Sequence, residues 1–327
     1  MWTRSVDAAE CRSRPISPLL GYRTFAALIL VGAMVVSTGS CQDKGVAPPG
    51  ADAEVPDLLE HWRRATVSVG QVRDDGGTQR YATIGSAVIV AIDPSHACLL
   101  TAKHVVFNPD QNYVPTEMRI RIARDEGAVT SSDLGVRVAL VVGEKNTWTS
   151  LPDGSDTAVV PLPDLSRYKN LHAVSVEDFG GSEDVFQGAS ILVLGYPIIL
   201  GEEYLTTPLA RGGIISWTDP SGRLDKRFLI DANTFNGNSG GPVFHLQNGV
   251  TRRGGIVFNG GVKLIGIMSQ NALERVPIEV GENPMTFTDT QGHTANVFAK
   301  VLNIGGIGVV EPISKGKKLV ELACRPH

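Results

Sequence analysis

The chain has 327 residues, 42% of them hydrophobic and 20% charged, which suits one large folded domain or two small ones and argues against wholesale disorder. Its 36 glycines, aromatic content of 6% and many Val and Ile runs favour short strands and turns over a helical bundle. A formal charge of -4 without a basic stripe argues against a nucleic-acid partner, and four Cys without a CxxC pair argue against a zinc ribbon or thioredoxin-type site.

Arg4, Arg12, Arg14 and Arg23 precede an apolar or small run from Phe25 to Val36, followed by Ser37-Thr38-Gly39-Ser40-Cys41. A basic leader, an apolar stretch and a zone of small residues form the pattern of a secretory signal over residues 1–40. The stretch is shorter than the ~20 residues of a membrane span. Extended through Ser37, Thr38 and Gly39, it gives the alternative of an uncleaved signal anchor. The small residues before Cys41 resemble a bacterial lipobox, which implies that Cys41 is lipidated, although Thr38 stands where a large aliphatic residue is usual. The other reading is an ordinary signal with an incidental Cys41. Each reading places the protein outside the cytoplasm of a bacterium, either attached to the membrane through Cys41 or the anchor, or periplasmic or secreted. Residues 41–56 are small, polar and Pro-rich and read as a flexible tether. Cys98 and Cys324 then remain as a candidate disulfide in an oxidising compartment, with a spatial separation that the sequence does not give.

Asp57 to Arg64 reads as a short helix with Leu58, Leu59 and Trp62 on one face. Twelve short Val/Ile-rich segments follow: 65–72, 81–92, 97–101, 118–123, 136–142, 157–162, 190–194, 213–217, 227–230, 242–246, 263–269 and 306–310. Gly, Pro, Asp or Asn clusters separate most of them, which predicts an all-β sandwich or pair of barrels. A last helix is predicted over 314–324, within a C-terminal tail of residues 314–327. The polar stretch from Asn271 to Phe298 has no assignment beyond a surface loop.

Three segments carry the chemistry. Leu99-Leu100-Thr101-Ala102-Lys103-His104-Val105-Val106 runs a strand into a turn bearing one His. Ser155-Asp156-Thr157-Ala158-Val159-Val160 opens an apolar strand with an Asp. Asn236-Gly237-Asn238-Ser239-Gly240-Gly241-Pro242-Val243 sets one Ser among residues with little or no side chain. Alone, each has an ordinary structural explanation: a core or surface His, a turn-capping Asp, a flexible Gly-rich turn.

Together, in the order His, Asp, Ser, they resemble the chymotrypsin/trypsin-like serine peptidase superfamily, with a closer likeness to its bacterial HtrA-like branch. The resemblance spans about residues 65–313 and extends to Gly85-Ser86-Ala87-Val88-Ile89, Leu194-Gly195-Tyr196-Pro197, Gly213-Ile214-Ile215-Ser216, Leu264-Ile265-Gly266-Ile267 and Gly308-Val309-Val310-Glu311-Pro312. It implies a peptidase domain over 57–313, built as two antiparallel six-stranded β-barrels with the active site between them. It implies His104 as general base, Asp156 as its partner and Ser239 as nucleophile, with the backbone N–H groups of Gly237 and Ser239 as the oxyanion hole. No metal or organic cofactor is required. The residue six before the nucleophile, Asn233, falls by position at the base of the primary pocket. Ser269, Gln270 and Asn271 fall along its wall, where backbone groups bond an extended peptide.

Two departures matter. Zymogen-type members carry Asp before the nucleophile, to pair with a newly cut N-terminus. Asn238 makes no such ion pair, so activation by that cut is not expected. Only 14 residues, 314 to 327, follow the last matched segment, too few for the PDZ domain of HtrA proteins. Without an Asp at position 233, small or medium uncharged side chains are expected in the pocket rather than Arg or Lys. The leading expectation is an exported serine endopeptidase acting on proteins or peptides through an acyl-enzyme. The alternatives are a catalytically silent peptide- or partner-binding module of the same fold, and an esterase using the same triad.

Overall fold

The computed structural model describes residues 58–122, 133–162, 172–199, 206–258, 260–271, 273–277, 279–280, 283–284, 286–296, 298–302 and 306–324. The expected signal, the tether and Cys41 lie outside them. No helix among the described residues is long and apolar enough to cross a membrane.

Helix α1, Leu58–Ala65, leads directly into strand β1, Thr66–Asp75. Glu60 ties its exposed side together by pairing with Arg63 and Arg64, one turn on. The strands of the first sheet are then β2 (Thr78–Asp93), β3 (His96–Thr101), β4 (Glu117–Arg121), β5 (Val136–Ala139), β6 (Thr149–Ser150), β7 (Ala158–Leu162) and β8 (Val174–Ser175). Their order is β5-β4-β1-β2-β3-β7-β6, and β8 adds to β2 in parallel. Six later strands form a closed antiparallel barrel: β9 (Ser190–Gly195), β10 (Leu209–Trp217), β11 (Phe228–Asp231), β12 (Pro242–Leu246), β13 (Val262–Asn271) and β14 (Ile307–Pro312). The barrel order is β9-β10-β11-β14-β13-β12.

The all-β expectation with a C-terminal helix thus holds, and the two halves differ in closure. The second half closes with six strands, whereas the first is a curled sheet of eight. Its edge strands β5 and β6 have four and two residues, which leaves little backbone ladder for closing the ring. The stretch 271–298, unassigned from sequence, contributes to narrow two-stranded ribbons: Leu273–Pro277 pairs with Phe298–Leu302, and Thr286–Thr288 with Thr294–Asn296.

Successive side chains of a strand point to opposite faces. Here both faces of the central strands are covered, which explains the unbroken apolar runs. Ala87, Ile89, Leu99 and Val160 fill the concave core of the first sheet with Val67, Val69 and Ile120. Their alternates Val88, Val90, Cys98, Leu100 and Val159 face a second core shared with Leu194, Phe244, Leu264 and Ile267 of the barrel. Ile191, Val193, Ile215, Phe228, Ile230 and Val243 fill the barrel itself.

Helix α3, Ile313–Ala323, closes the shared core with Ile313, Leu319 and Val320. Gly316 lies against Leu100; a Cβ there would be 3.0 Å from the Leu100 side chain, so a small residue is needed for this approach. Cys324, at the end of α3, forms a disulfide with Cys98 on β3, with Cα atoms 6.1 Å apart. The C-terminal segment is therefore fastened to the strand that leads to His104.

Candidate active site

β3 ends at Thr101, and the chain turns at Ala102 into a single helical turn, α2, Lys103–Val106. Val105 and Val106 sink into the first core, which leaves the adjacent His104 at the surface with its side chain 34% exposed. Asp156 stands in the turn before β7. Its carboxylate receives His104 Nδ1 at 2.7 Å through Oδ2 and the His104 backbone N–H at 3.0 Å through Oδ1. Ser269 Oγ donates a further bond to Oδ2 at 2.6 Å. Burial pushes the Asp156 carboxyl up, but the hydrogen bond and charge of His104 and the Ser269 hydroxyl outweigh it, and the group lies below its ordinary value. An ionised carboxylate only accepts, so the proton of this bond sits on His104 Nδ1 and Nε2 is left to act as base.

Beneath Asp156 lies Glu311, whose side chain is 0% exposed. Its Oε1 accepts the Asp156 backbone N–H at 2.8 Å and Arg227 Nε at 2.6 Å. Lys315 of α3 stands 3.6 Å from Oε2 and 3.3 Å from Asp153, so the C-terminal helix holds both ends of the turn. Nothing local in Gly-Val-Val-Glu-Pro announces this: Glu311 meets Asp156 across 155 positions.

Ser239 sits in the loop between β11 and β12. Gly237 has φ +98° and Gly240 φ +82°, left-handed values that favour glycine. A Cβ on Gly240 would lie 2.1 Å from both Ser86 O and Thr101 Oγ1, because the loop is pressed against the first sheet. Ser86 fastens the two halves there. Its Oγ donates to Gly237 O at 2.8 Å and accepts from Tyr196 N–H at 2.9 Å, and its own N–H donates to Ser239 O at 2.8 Å. The N–H groups of Asn238 and Gly240 are bonded to Phe235 O and Met268 O, whereas those of Gly237 and Ser239 have no acceptor among the described residues. Asn238 is buried, with Nδ2 unpartnered.

His104, Asp156, Ser239, Ser269, Gln270 and Asn271 line one polar cleft of ≈ 610 Å³, together with Lys103, Asn108 and Arg227. Asn233 is exposed and is not among the residues lining this cleft. Among the described residues no hydrogen bond joins Ser239 Oγ to the His104 ring; the hydroxyl leans instead on Ser269 O, 3.4 Å away. Ser269, placed from sequence on the substrate wall, thus presents its side chain to Asp156 and its carbonyl to Ser239. A cleft lined by an imidazole and a serine hydroxyl, beside a loop with two N–H groups unbonded among the described residues, suits acyl transfer.

The family described as trypsin-like peptidase domain matches residues 85–251, which is 167 of the 327 residues. No curated protein is significantly similar to the chain in sequence. Among solved structures, a serine endoprotease from Yersinia pestis shares 19% identity, with 82% of this chain and 65% of that one covered, at a TM-score of 0.44. An HtrA-type protease, AlgW, solved with a decapeptide, shares 19% identity, with 81% and 67% covered, at a TM-score of 0.45. This chain therefore spans just under two thirds of the length of the Yersinia pestis protein.

Proposed function

The chain belongs to the trypsin-like peptidase family, and we propose that it is a serine endopeptidase with His104 as base, Asp156 as its orienting carboxylate and Ser239 as nucleophile. The observation that carries this reading is the one cleft that the His104–Asp156 pair and Ser239 line together, beside a loop in which the N–H groups of Gly237 and Ser239 have no acceptor among the described residues.

In the reaction so proposed, Ser239 Oγ turns from the Ser269 carbonyl to His104 Nε2, which takes its proton as Oγ bonds to the substrate carbonyl carbon. Charge gathers on the carbonyl oxygen and is met by the two N–H groups; loss of one such donor typically costs about 10² to 10³ in rate. Asp156 stabilises the imidazolium without taking its proton. His104 then protonates the departing amine as the C–N bond breaks. Water, activated by the same imidazole, releases the acyl group and restores Ser239. Ser269 and Glu311 act as positioning residues, one on the carboxylate of Asp156 and one on its backbone. Gln270 and Asn271 run beside the cleft, where an extended substrate backbone would pair. Asn233, expected at the pocket base, is exposed and outside the cleft lining, so the preference for uncharged side chains rests on the absence of an acidic residue at that position.

The HtrA-like affiliation, the export signal over 1–40 and the anchoring role of Cys41 complete the proposal as an extracytoplasmic enzyme. The Cys98–Cys324 disulfide supports an oxidising compartment. Asn238, buried and uncharged, supports activity without a cut that frees an N-terminal amine. A fluorophosphonate probe tests the nucleophile: wild type becomes labelled and Ser239→Ala does not. Equal labelling of both, or none of wild type, removes the assignment.

A further inference from the structure

A second His–Asp pair lies in the barrel. Asp184, in the turn between β8 and β9, accepts His245 Nδ1 at 3.0 Å and Gln247 Nε2 at 2.7 Å through Oδ1, and the Gly181 N–H at 2.9 Å through Oδ2. The side chains of His245 and Asp184 are only 8% and 11% exposed. Three donors converge on a carboxylate that can only accept, so Nδ1 of His245 carries a hydrogen, and when the ring is neutral Nε2 presents a lone pair. No hydrogen-bond partner for Nε2 is found among the described residues.

His245 lines a cavity of ≈ 330 Å³, at the lower end of the size range of small-molecule sites. Phe186 stands edge-on to the imidazole, with ring centroids 5.7 Å apart and planes at 88°. Val250 and Val257, from the hairpin formed by Gly249–Val250 and Ile256–Val257, complete an apolar wall. The charges at the rim are engaged with one another or with backbone: Arg253 pairs with Glu183 at 3.5 Å, and Arg252 donates to Ser182 O at 2.6 Å. The cavity thus offers aromatic and branched walls and one buried acceptor, with the Arg252 and Arg253 guanidinium groups held at its rim by a carbonyl and a carboxylate.

We propose that this cavity is a binding site for a neutral aromatic ring bearing one hydroxyl donor, a phenol, with its O–H given to His245 Nε2 and its ring held by Phe186, Val250 and Val257. A carboxylate brings no donor to the lone pair of Nε2, and a purely apolar ring would leave that lone pair buried without a partner. The same chemistry is presented by a free phenol and by a tyrosine side chain of a polypeptide.

The test titrates the full chain with 4-fluorophenol and with fluorobenzene, followed by fluorine NMR. The phenol is expected to bind saturably and about tenfold more tightly, the difference of one hydrogen bond made within the cavity. Val257→Trp, which blocks the cavity from an exposed hairpin, is expected to abolish binding of both probes. His245→Leu is expected to retain fluorobenzene and lose the preference for the phenol. Absence of saturable binding, equal affinity for the two probes, or full binding by Val257→Trp overturns the proposal; the last variant decides the matter if His245→Leu does not fold. With the Ser239→Ala chain, a peptide with a single Tyr that displaces 4-fluorophenol where its Phe counterpart does not identifies a polypeptide ligand. Displacement by p-cresol alone identifies a free phenol.

Discussion

Two His–Asp pairs of this protein share their central bond and differ in almost everything around it. In each, an imidazole Nδ1 meets a carboxylate, at 2.7 Å for His104–Asp156 and 3.0 Å for His245–Asp184. In each, hydrogen bonds pull the carboxyl below its ordinary value although burial pushes it up. The first pair opens onto a polar cleft lined by Ser239, whose loop holds two N–H groups without acceptors among the described residues. The second opens onto an apolar cavity, where the hydroxyl of Thr251 is tied into its own hairpin turn by Gly255. A His–Asp pair by itself fixes a tautomer and supplies a lone pair. Whether that lone pair removes a proton in catalysis or accepts a hydrogen bond from a ligand depends on what stands opposite.

The contrast is broken most forcefully at the two carboxylates. Asp156→Asn keeps the shape but favours the wrong tautomer of His104, and kcat is expected to fall by about 10⁴ with little change in Tm. Asp184→Asn disturbs a network that joins a turn to β12, and its effect should appear as a lowered Tm, by several degrees for a loss of about 1–3 kcal/mol. Thermal melts and peptide kinetics on the two variants decide this; a Tm collapse without kinetic loss in Asp156→Asn would reverse the assignment of roles.

A smaller effect is expected at Glu311, the support that the second pair lacks. Glu311→Gln keeps an acceptor for the Asp156 N–H but removes the charge that faces Arg227 and Lys315. A loss of about tenfold in kcat, with KM nearly constant, is expected for a residue that positions the transition state rather than the ground state. An unchanged kcat would confine Glu311 to holding the helix.

The smallest effect concerns acid. Burial raises the Asp184 carboxyl, but the bonds from His245, Gly181 and Gln247 hold it at about 2, against an ordinary 3.8. A lowered native value means that the unfolded chain binds the proton more readily, so the stabilisation is fully present above about pH 4 and is lost as pH falls through about 2. Denaturant titrations over that window should show a shallower decline for Asp184→Asn than for wild type.

Much of the fold was legible because strand patterns are local. Strand Pro242–Leu246 coincides with the predicted segment 242–246, and the last helix lies one residue from its predicted place, 313–323 against 314–324. The stretch 271–298 had no assignment because charged, Gly and Pro residues interrupt its short apolar runs before a period is established. The three segments that carry His104, Asp156 and Ser239 were legible as a set, through the resemblance of Thr-Ala-Lys-His, Ser-Asp-Thr-Ala and Gly-Asn-Ser-Gly-Gly to a known family. His245 was not: in Pro-Val-Phe-His-Leu it reads as one more strand residue, and its carboxylate lies 61 positions away.

The sequence by itself determined the all-β class, most strand positions, the order His104, Asp156, Ser239 and the uncharged Asn238. Those features follow from alternation, turn chemistry and short motifs, which act over a few residues. Tertiary structure alone decided that one half closes into a barrel and the other does not, that Cys324 reaches Cys98, that Glu311 lies under Asp156, and that His245 and Asp184 form a second such pair in the barrel. Each of these depends on contacts between segments tens to hundreds of residues apart, and such contacts are selected by the packing of the whole chain rather than by any local preference.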